Sequence, residues 1–245
     1  MRFLKILNIK FIDGSYEDIE KRILMGGVMV VPAAPALATY KSNIKYYEAL
    51  KKSDIAIFDS GFLCLLLLVL KRIKVKKISG LLFLRRFINS FKFEGTNNLF
   101  TIDPSIEESR LNKEYFLSKK IDIENNQYVA PIYKDNEIID EKLLEILKSK
   151  KPRFIIINLG GGVQETLGVY LKQNLDNFYK PTIICTGAAI AFLTKAQAGI
   201  PSFIDKLYLG WLARCISDPK KFIPRYLSGF KLFGIILKSE VEVVQ

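Results

Sequence analysis

The chain has 245 residues, 49% hydrophobic and 25% charged, which is enough to bury a sizeable core and excludes a disordered chain, a disulfide-stapled miniprotein and a polytopic membrane protein. Lys and Arg number 37 against 25 Asp and Glu, a formal charge of +12 that implies an anionic partner. There is no histidine, so a His-based triad and a His-ligated metal are excluded, and any general base is a carboxylate, Lys, Tyr or Cys.

In chain order, short β-branched runs alternate with longer helical patterns. Strands are predicted at 3–9, 28–32, 55–58, 98–102, 127–129, 154–159 and 182–186, and helices at 16–24, 37–52, 62–72, 81–91, 106–119, 137–148, 163–175 and 188–195. That alternation predicts an α/β sheet with helical crossovers. Residues 1–12 alternate like a first strand and lack the basic, apolar and small-residue sections of a secretion leader, so export is not expected. The apolar run at 62–70 is about half of the roughly 18 residues a membrane span requires, and reads as a buried core helix. Residues 60–93 contain no acid but eight basic residues, among them Lys71, Arg72, Lys74, Lys76 and Lys77. Nucleic acid, an anionic membrane surface and a diphosphate substrate all fit this charge, which does not separate them. Cys64, Cys185 and Cys215 lie far apart in apolar surroundings and read as buried thiols of a reducing compartment.

Two strand ends stand out, because ligands of open α/β sheets bind beyond the carboxyl ends of strands. The strand at 55–58 runs into Asp59-Ser60-Gly61, and the strand at 154–159 runs into Gly160-Gly161-Gly162-Val163-Gln164-Glu165. Asp59 follows four apolar residues, where partial desolvation raises a carboxyl pKa and suits it to proton abstraction; capping the next helix is the other role open to it. The triple glycine lacks the Lys-Ser/Thr of a Walker loop and the spacing of a dinucleotide site, and a tight strand-to-helix turn explains it as well as a phosphate cradle does. Gln164 either hydrogen-bonds a substrate or caps its helix. Beyond residue 200 the pattern is helical only, at 203–217 and 219–238, basic and rich in aromatics. It reads either as a helical pair packed on the sheet or as a lid or membrane-facing element.

The run Lys151-Pro152…Ile155-Ile156-Ile157-Asn158-Leu159-Gly160…Gln164-Glu165 resembles the "KPDxLFVGLGxPKQE" segment of the WecG/TagA/CpsF family, glycosyltransferase family 26. The stretch from Pro201 through Trp211, Arg214 and Pro219 to Arg225-Tyr226 is similar to that family's ending without a gap. Val30-Val31-Pro32-Ala33-Ala34-Pro35 and Ala56-Ile57-Phe58-Asp59-Ser60-Gly61 sit where the family has "VVTANP" and "LVLPDG". The resemblance implies a Rossmann-like sheet with helices on both faces, of the type called GT-E, over residues 1–200. It also implies a helical, membrane-associating carboxyl-terminal appendage over 201–245. By the same resemblance, the chain is an inverting, metal-independent transferase that needs no cofactor. It would move a sugar of N-acetylmannosamine or related type from a UDP-sugar donor to an undecaprenyl-diphosphate-linked acceptor in surface-polysaccharide assembly. It would work as a peripheral protein on the cytoplasmic side of an anionic membrane, as a homo-oligomer, with no nucleic-acid partner. Asp59 would be the general base; Gln164, Gly160 and Gly161 would contact substrate; Arg214 and Arg225 would hold the diphosphate.

The departures are specific. The family's Asn of "TANP" is Ala34, and three of its acids fall at Leu82, Ala191 and Gly210. A changed donor, or a non-catalytic relative that binds a nucleotide-linked or lipid-linked sugar, is the alternative these losses raise.

Overall fold

A computed structural model describes residues 1–91, 93, 98–133, 138–194 and 229–244. Among these, nine strands form one sheet: β1 (Arg2–Ile6), β2 (Ile9–Asp13), β3 (Gly27–Val30), β4 (Ile55–Ile57), β5 (Leu99–Asp103), β6 (Gln127–Val129), β7 (Phe154–Ile157), β8 (Thr182–Cys185) and β9 (Val241–Val244). Their order is β6-β5-β7-β8-β3-β4-β2-β1-β9. Pairing is parallel from β6 to β2, and β1 is antiparallel to both β2 and β9.

The helices are α1 (Tyr16–Ile23), α2 (Ala34–Ala38), α3 (Ile44–Lys52), α4 (Gly61–Lys71), α5 (Gly80–Ser90), α6 (Ile106–Ser118), α7 (Glu141–Lys150), α8 (Val163–Leu175), α9 (Ala189–Leu193) and α10 (Lys231–Lys238). A parallel sheet is covered on both faces, so its central strands are apolar throughout. Accordingly β7 reads Phe-Ile-Ile-Ile and is fully buried. Alternation along it sends Ile155 and Ile157 to one face, with α2, α3, α4, α7, α8 and α10, and Phe154 and Ile156 to the other, with α1, α5, α6 and α9. This is the doubly wound α/β arrangement expected from the sequence.

Several local features differ from that reading. The first predicted strand is a hairpin: Leu7 and Asn8 both have positive φ (51° and 58°), a two-residue turn whose twist matches the flanking strands. The predicted helix at 37–52 is two helices, because Pro35 starts α2 and Asn43 caps α3 anew. The tail is not helical only, since Val241–Val244 pairs with β1 and closes that edge of the sheet. The 62–70 run is a core helix on one side alone: Leu63, Leu66 and Leu67 are buried, whereas Leu65, Leu68 and Val69 are exposed. Among the described residues no helix is long and apolar enough to cross a membrane. Cys64 and Cys185 are buried free thiols, and burial pushes the Cys64 thiol up to about 12; Cys215 lies outside the described residues.

Candidate active site

The connections leaving β3 and β7 lead to α2 and α8 on one face, and the connection leaving the intervening β8 leads to α9 on the other. Loops that diverge in this way around a strand end open a crevice at the carboxyl edge of a parallel sheet. The residues with chemistry gather at that edge.

Asp59 follows β4 after one residue, the buried Phe58. It does not cap α4, because Ser60 does so by accepting the Leu63 N–H. The Asp59 carboxylate instead accepts the backbone N–H of Gly80 at 2.9 Å, the first residue of α5, whose own cap is Ser79. A helix amino terminus favours negative charge, and a carboxylate must be ionised to take up a proton. Gly80 fits because it has no side chain: a Cβ there would lie 3.1 Å from Val31 Cγ1 and 3.7 Å from Thr186 Cβ. The ends of β3, β4 and β8 therefore meet around the start of α5.

From Thr186 the chain turns at Gly187 (φ +63°), whose N–H donates to Gln164 Oε1 at 2.8 Å. Gln164 Nε2 donates to Glu165 Oε1 at 2.9 Å, and Glu165 Oε2 accepts the Gly162 N–H at 2.6 Å. Both side chains are buried, and Gln164 is therefore a tie between α8 and the β8 turn rather than a helix cap. Burial raises the Glu165 carboxyl to about 7, against the opposing pull of the Gly162 N–H and the Gln164 amide. Asp59 and Gln164 thus lie on one edge, connected through Gly80, Thr186 and Gly187.

Of the triple glycine, only Gly162 has a φ that requires glycine, +95°. Gly160 and Gly161 are exposed, with open space where a side chain would be. Arg214 and Arg225 lie outside the described residues, as does Gly210. Ala34 and Ala191 are buried, and Leu82 is exposed in the first turn of α5.

Sequence reasoning missed four participants. Gly80 and Gly187 make backbone contacts across 21 and 23 residues, which no local pattern encodes. Only the repeated Ser-Gly before an apolar helix, Ser60-Gly61 and Ser79-Gly80, hinted at paired helix starts. Glu165 lay in a quoted motif but was given no role. Asp103 ends β5 wholly buried, accepting from Thr101 Oγ1 (2.9 Å), Asn112 Nδ2 (2.7 Å) and Asn158 Nδ2 (2.7 Å). Nearby, at the ends of β7 and β8, Asn158 Oδ1 and Thr186 Oγ1 are buried without a hydrogen-bond partner among the described residues.

Compared with known proteins, the chain matches the sequence model of the Glycosyl transferase WecG/TagA/CpsF family over residues 4–243. No curated protein matches it.

Proposed function

The chain belongs to the WecG/TagA/CpsF family of glycosyltransferases, and from that premise we propose that it is an inverting, metal-independent hexosyltransferase acting from a UDP-sugar onto a polyprenyl-diphosphate-linked acceptor in cell-surface polysaccharide assembly. The observation that carries this reading is Asp59: a partly exposed carboxylate at the sheet's ligand-binding edge, held by the first N–H of α5. In the proposed reaction Asp59 takes the proton from the acceptor hydroxyl as its oxygen attacks the sugar C1. The bond from C1 to the UDP oxygen breaks, and the leaving diphosphate carries the electron pair. Gly160 and Gly161 offer backbone that a phosphate can approach closely, and Gln164 has a second amide hydrogen to offer a substrate. Arg214 and Arg225 would neutralise the charge building on UDP from an appendage over residues 201–245. The protein would work as a peripheral protein on the cytoplasmic face of the membrane.

The buried apolar side chains at Ala34 and Ala191 favour a second reading, a relative that binds the nucleotide or lipid-linked sugar without turning it over. One assay separates the two: release of UDP from a panel of UDP-sugars by the full chain, with polyprenyl-diphosphate-linked hexosamines as acceptors and excess EDTA present. Acceptor-dependent release supports the transferase. Activity abolished by EDTA and restored by Mn²⁺ overturns metal independence, and UDP binding with no release under any combination supports the second reading.

A further inference from the structure

The register of the sheet brings two unexplained buried oxygens together. Ile102, Ile157, Cys185 and Val30 are paired across β5, β7, β8 and β3, so the residues that follow them, Asp103, Asn158, Thr186 and Val31, form a row one step further along. Side chains alternate along a strand, and this row faces α5, α6 and α9 together with Phe154, Ile156 and Ile184. Three of its four members are polar. At one end the polarity is accounted for, because Asp103 accepts from Thr101, Asn112 and Asn158. In the middle it is not: Asn158 Oδ1 and Thr186 Oγ1 are buried with no hydrogen-bond partner among the described residues. Leaving one such atom unbonded is costly, and two on adjacent strands at the ligand-binding edge point to a ligand that supplies the missing bonds. The other such atom among the described residues, Tyr179 Oη, precedes β8 and lies towards the opposite edge.

The two oxygens define what they bind. The Asn158 amide cannot turn over, because its Nδ2 donates to Asp103 Oδ1 at 2.7 Å and a carboxylate has no proton to give an amide oxygen. Its Oδ1 is therefore a fixed acceptor, whereas Thr186 Oγ1 both donates and accepts. Neighbouring strands lie about 4.8 Å apart, so one oxygen can bond both side chains, donating to Asn158 and accepting from Thr186. Among ligand groups only a hydroxyl does both. A carbonyl or carboxylate oxygen has no proton for Asn158, and an N–H has no lone pair for Thr186. Position indicates which hydroxyl. Asn158 lies two residues before Gly160, and Thr186 lies beside Gly80, whose N–H holds Asp59. The pair thus stands between the glycines offered to the phosphate and the base, where the transferred sugar lies in the reading above. Asn158 is particular to this chain, since the family segment that residues 151–165 resemble has glycine there.

We infer that Asn158 and Thr186 form a subsite that recognises one hydroxyl of the hexose carried by the UDP donor. The inference rests on the transferase reading and adds to it the group by which the sugar is told apart. Both oxygens are covered in this structure, so the hydroxyl enters as the turn from Thr186 to Ala188 gives way. That turn is pinned to α8 by the Gly187 N–H on Gln164, a side chain the same reading places at the substrate.

The test is titration of the full chain with UDP, UDP-glucose, UDP-galactose, UDP-N-acetylglucosamine and UDP-N-acetylmannosamine, then with the monodeoxy analogues of the tightest binder. Thr186→Val should bind that UDP-hexose roughly fivefold to tenfold more weakly than wild type, with UDP affinity unchanged. Its thermal midpoint should equal or exceed that of wild type, because a buried hydroxyl without a partner has been removed. Thr186→Ser, which keeps the hydroxyl, should retain the wild-type preference. One deoxy analogue should lose a similar factor on wild type and nothing further on Thr186→Val, since both changes delete the same contact. Equal affinity of wild type and folded Thr186→Val for every UDP-hexose overturns the inference and leaves the transferase reading standing. An equal loss for UDP and UDP-hexose does the same, because the hydroxyl then acts through the nucleotide or the fold. If Thr186→Val falls below wild-type stability, the deoxy series on wild type decides, and affinity indifferent to every deletion overturns the inference. A chain that binds neither UDP nor any UDP-sugar overturns both.

Discussion

Two aspartates stand at the carboxyl ends of parallel strands on the same edge of the sheet, Asp59 after β4 and Asp103 at the end of β5, and their surroundings give them opposite capacities. Asp103 is wholly buried and its carboxylate is bound by one hydroxyl and two side-chain amides, from Thr101, Asn112 and Asn158. A carboxylate so enclosed has no route to a substrate proton, and its donors fix the ends of β5 and β7 and the face of α6. Asp59 is partly exposed and is held by a backbone N–H at a helix start. That contact orients the carboxylate while leaving it partly open to solvent. Position at a strand end is common to both; exposure separates a carboxylate that a substrate can meet from a structural anchor.

The largest expected effect falls on the anchor. Asp103→Ala leaves three buried donors without an acceptor, so stability should drop by about 3–5 kcal/mol and the thermal midpoint by roughly 10 °C. A variant within a degree or two of wild type would remove the contrast drawn here. Next comes Glu165, whose folded carboxyl titrates at about 7 against an ordinary 4.5. A raised carboxyl stabilises the fold fully below its unfolded pKa, and that contribution is lost as pH rises through the folded one. Stability should therefore fall between about pH 4.5 and 7, by up to roughly 3 kcal/mol, and Glu165→Gln should flatten that slope in urea titrations at pH 5 and 8. The same loss in both chains would assign it to another group. The smallest effect belongs to Gly80→Ala. Its φ is ordinary and Ala is the better helix former, which offsets part of the cost of the close Cβ, so stability should change by no more than about 1 kcal/mol. The added Cβ crowds Val31 by a few tenths of an ångström, shifting the N–H that holds Asp59. Turnover should fall about tenfold, the scale of a misplaced catalytic contact, and unchanged turnover would show that the Gly80 contact does not position the carboxylate.

What the sequence disclosed and what it hid follow from the range of the interactions. The central strands were legible because runs such as Phe154–Ile157 are apolar on both faces, and the Asp59 turn because a charge follows such a run. The Leu7-Asn8 turn was not, since Leu at positive φ is no turn signal and the hairpin is imposed by pairing. β9 was missed because its partner β1 lies more than two hundred residues earlier. The roles of Asp59 and Gln164 stayed divided between cap and site until contacts across 21 and 23 residues removed the capping option for both. The exposure of Leu65, Leu68 and Val69 was invisible for the same reason: an all-apolar helix announces burial, and only the packing shows which side is left uncovered.

The central claim is that Asp59 takes the proton in sugar transfer, and turnover of Asp59→Asn at saturating donor and acceptor tests it most directly. UDP affinity and thermal midpoint should be measured on the same preparation. The account requires both to match wild type, because the amide oxygen still accepts the Gly80 N–H, and turnover to fall by roughly 10²–10⁴, the usual worth of a general base. An Asp59→Asn chain that transfers sugar at the wild-type rate would contradict it.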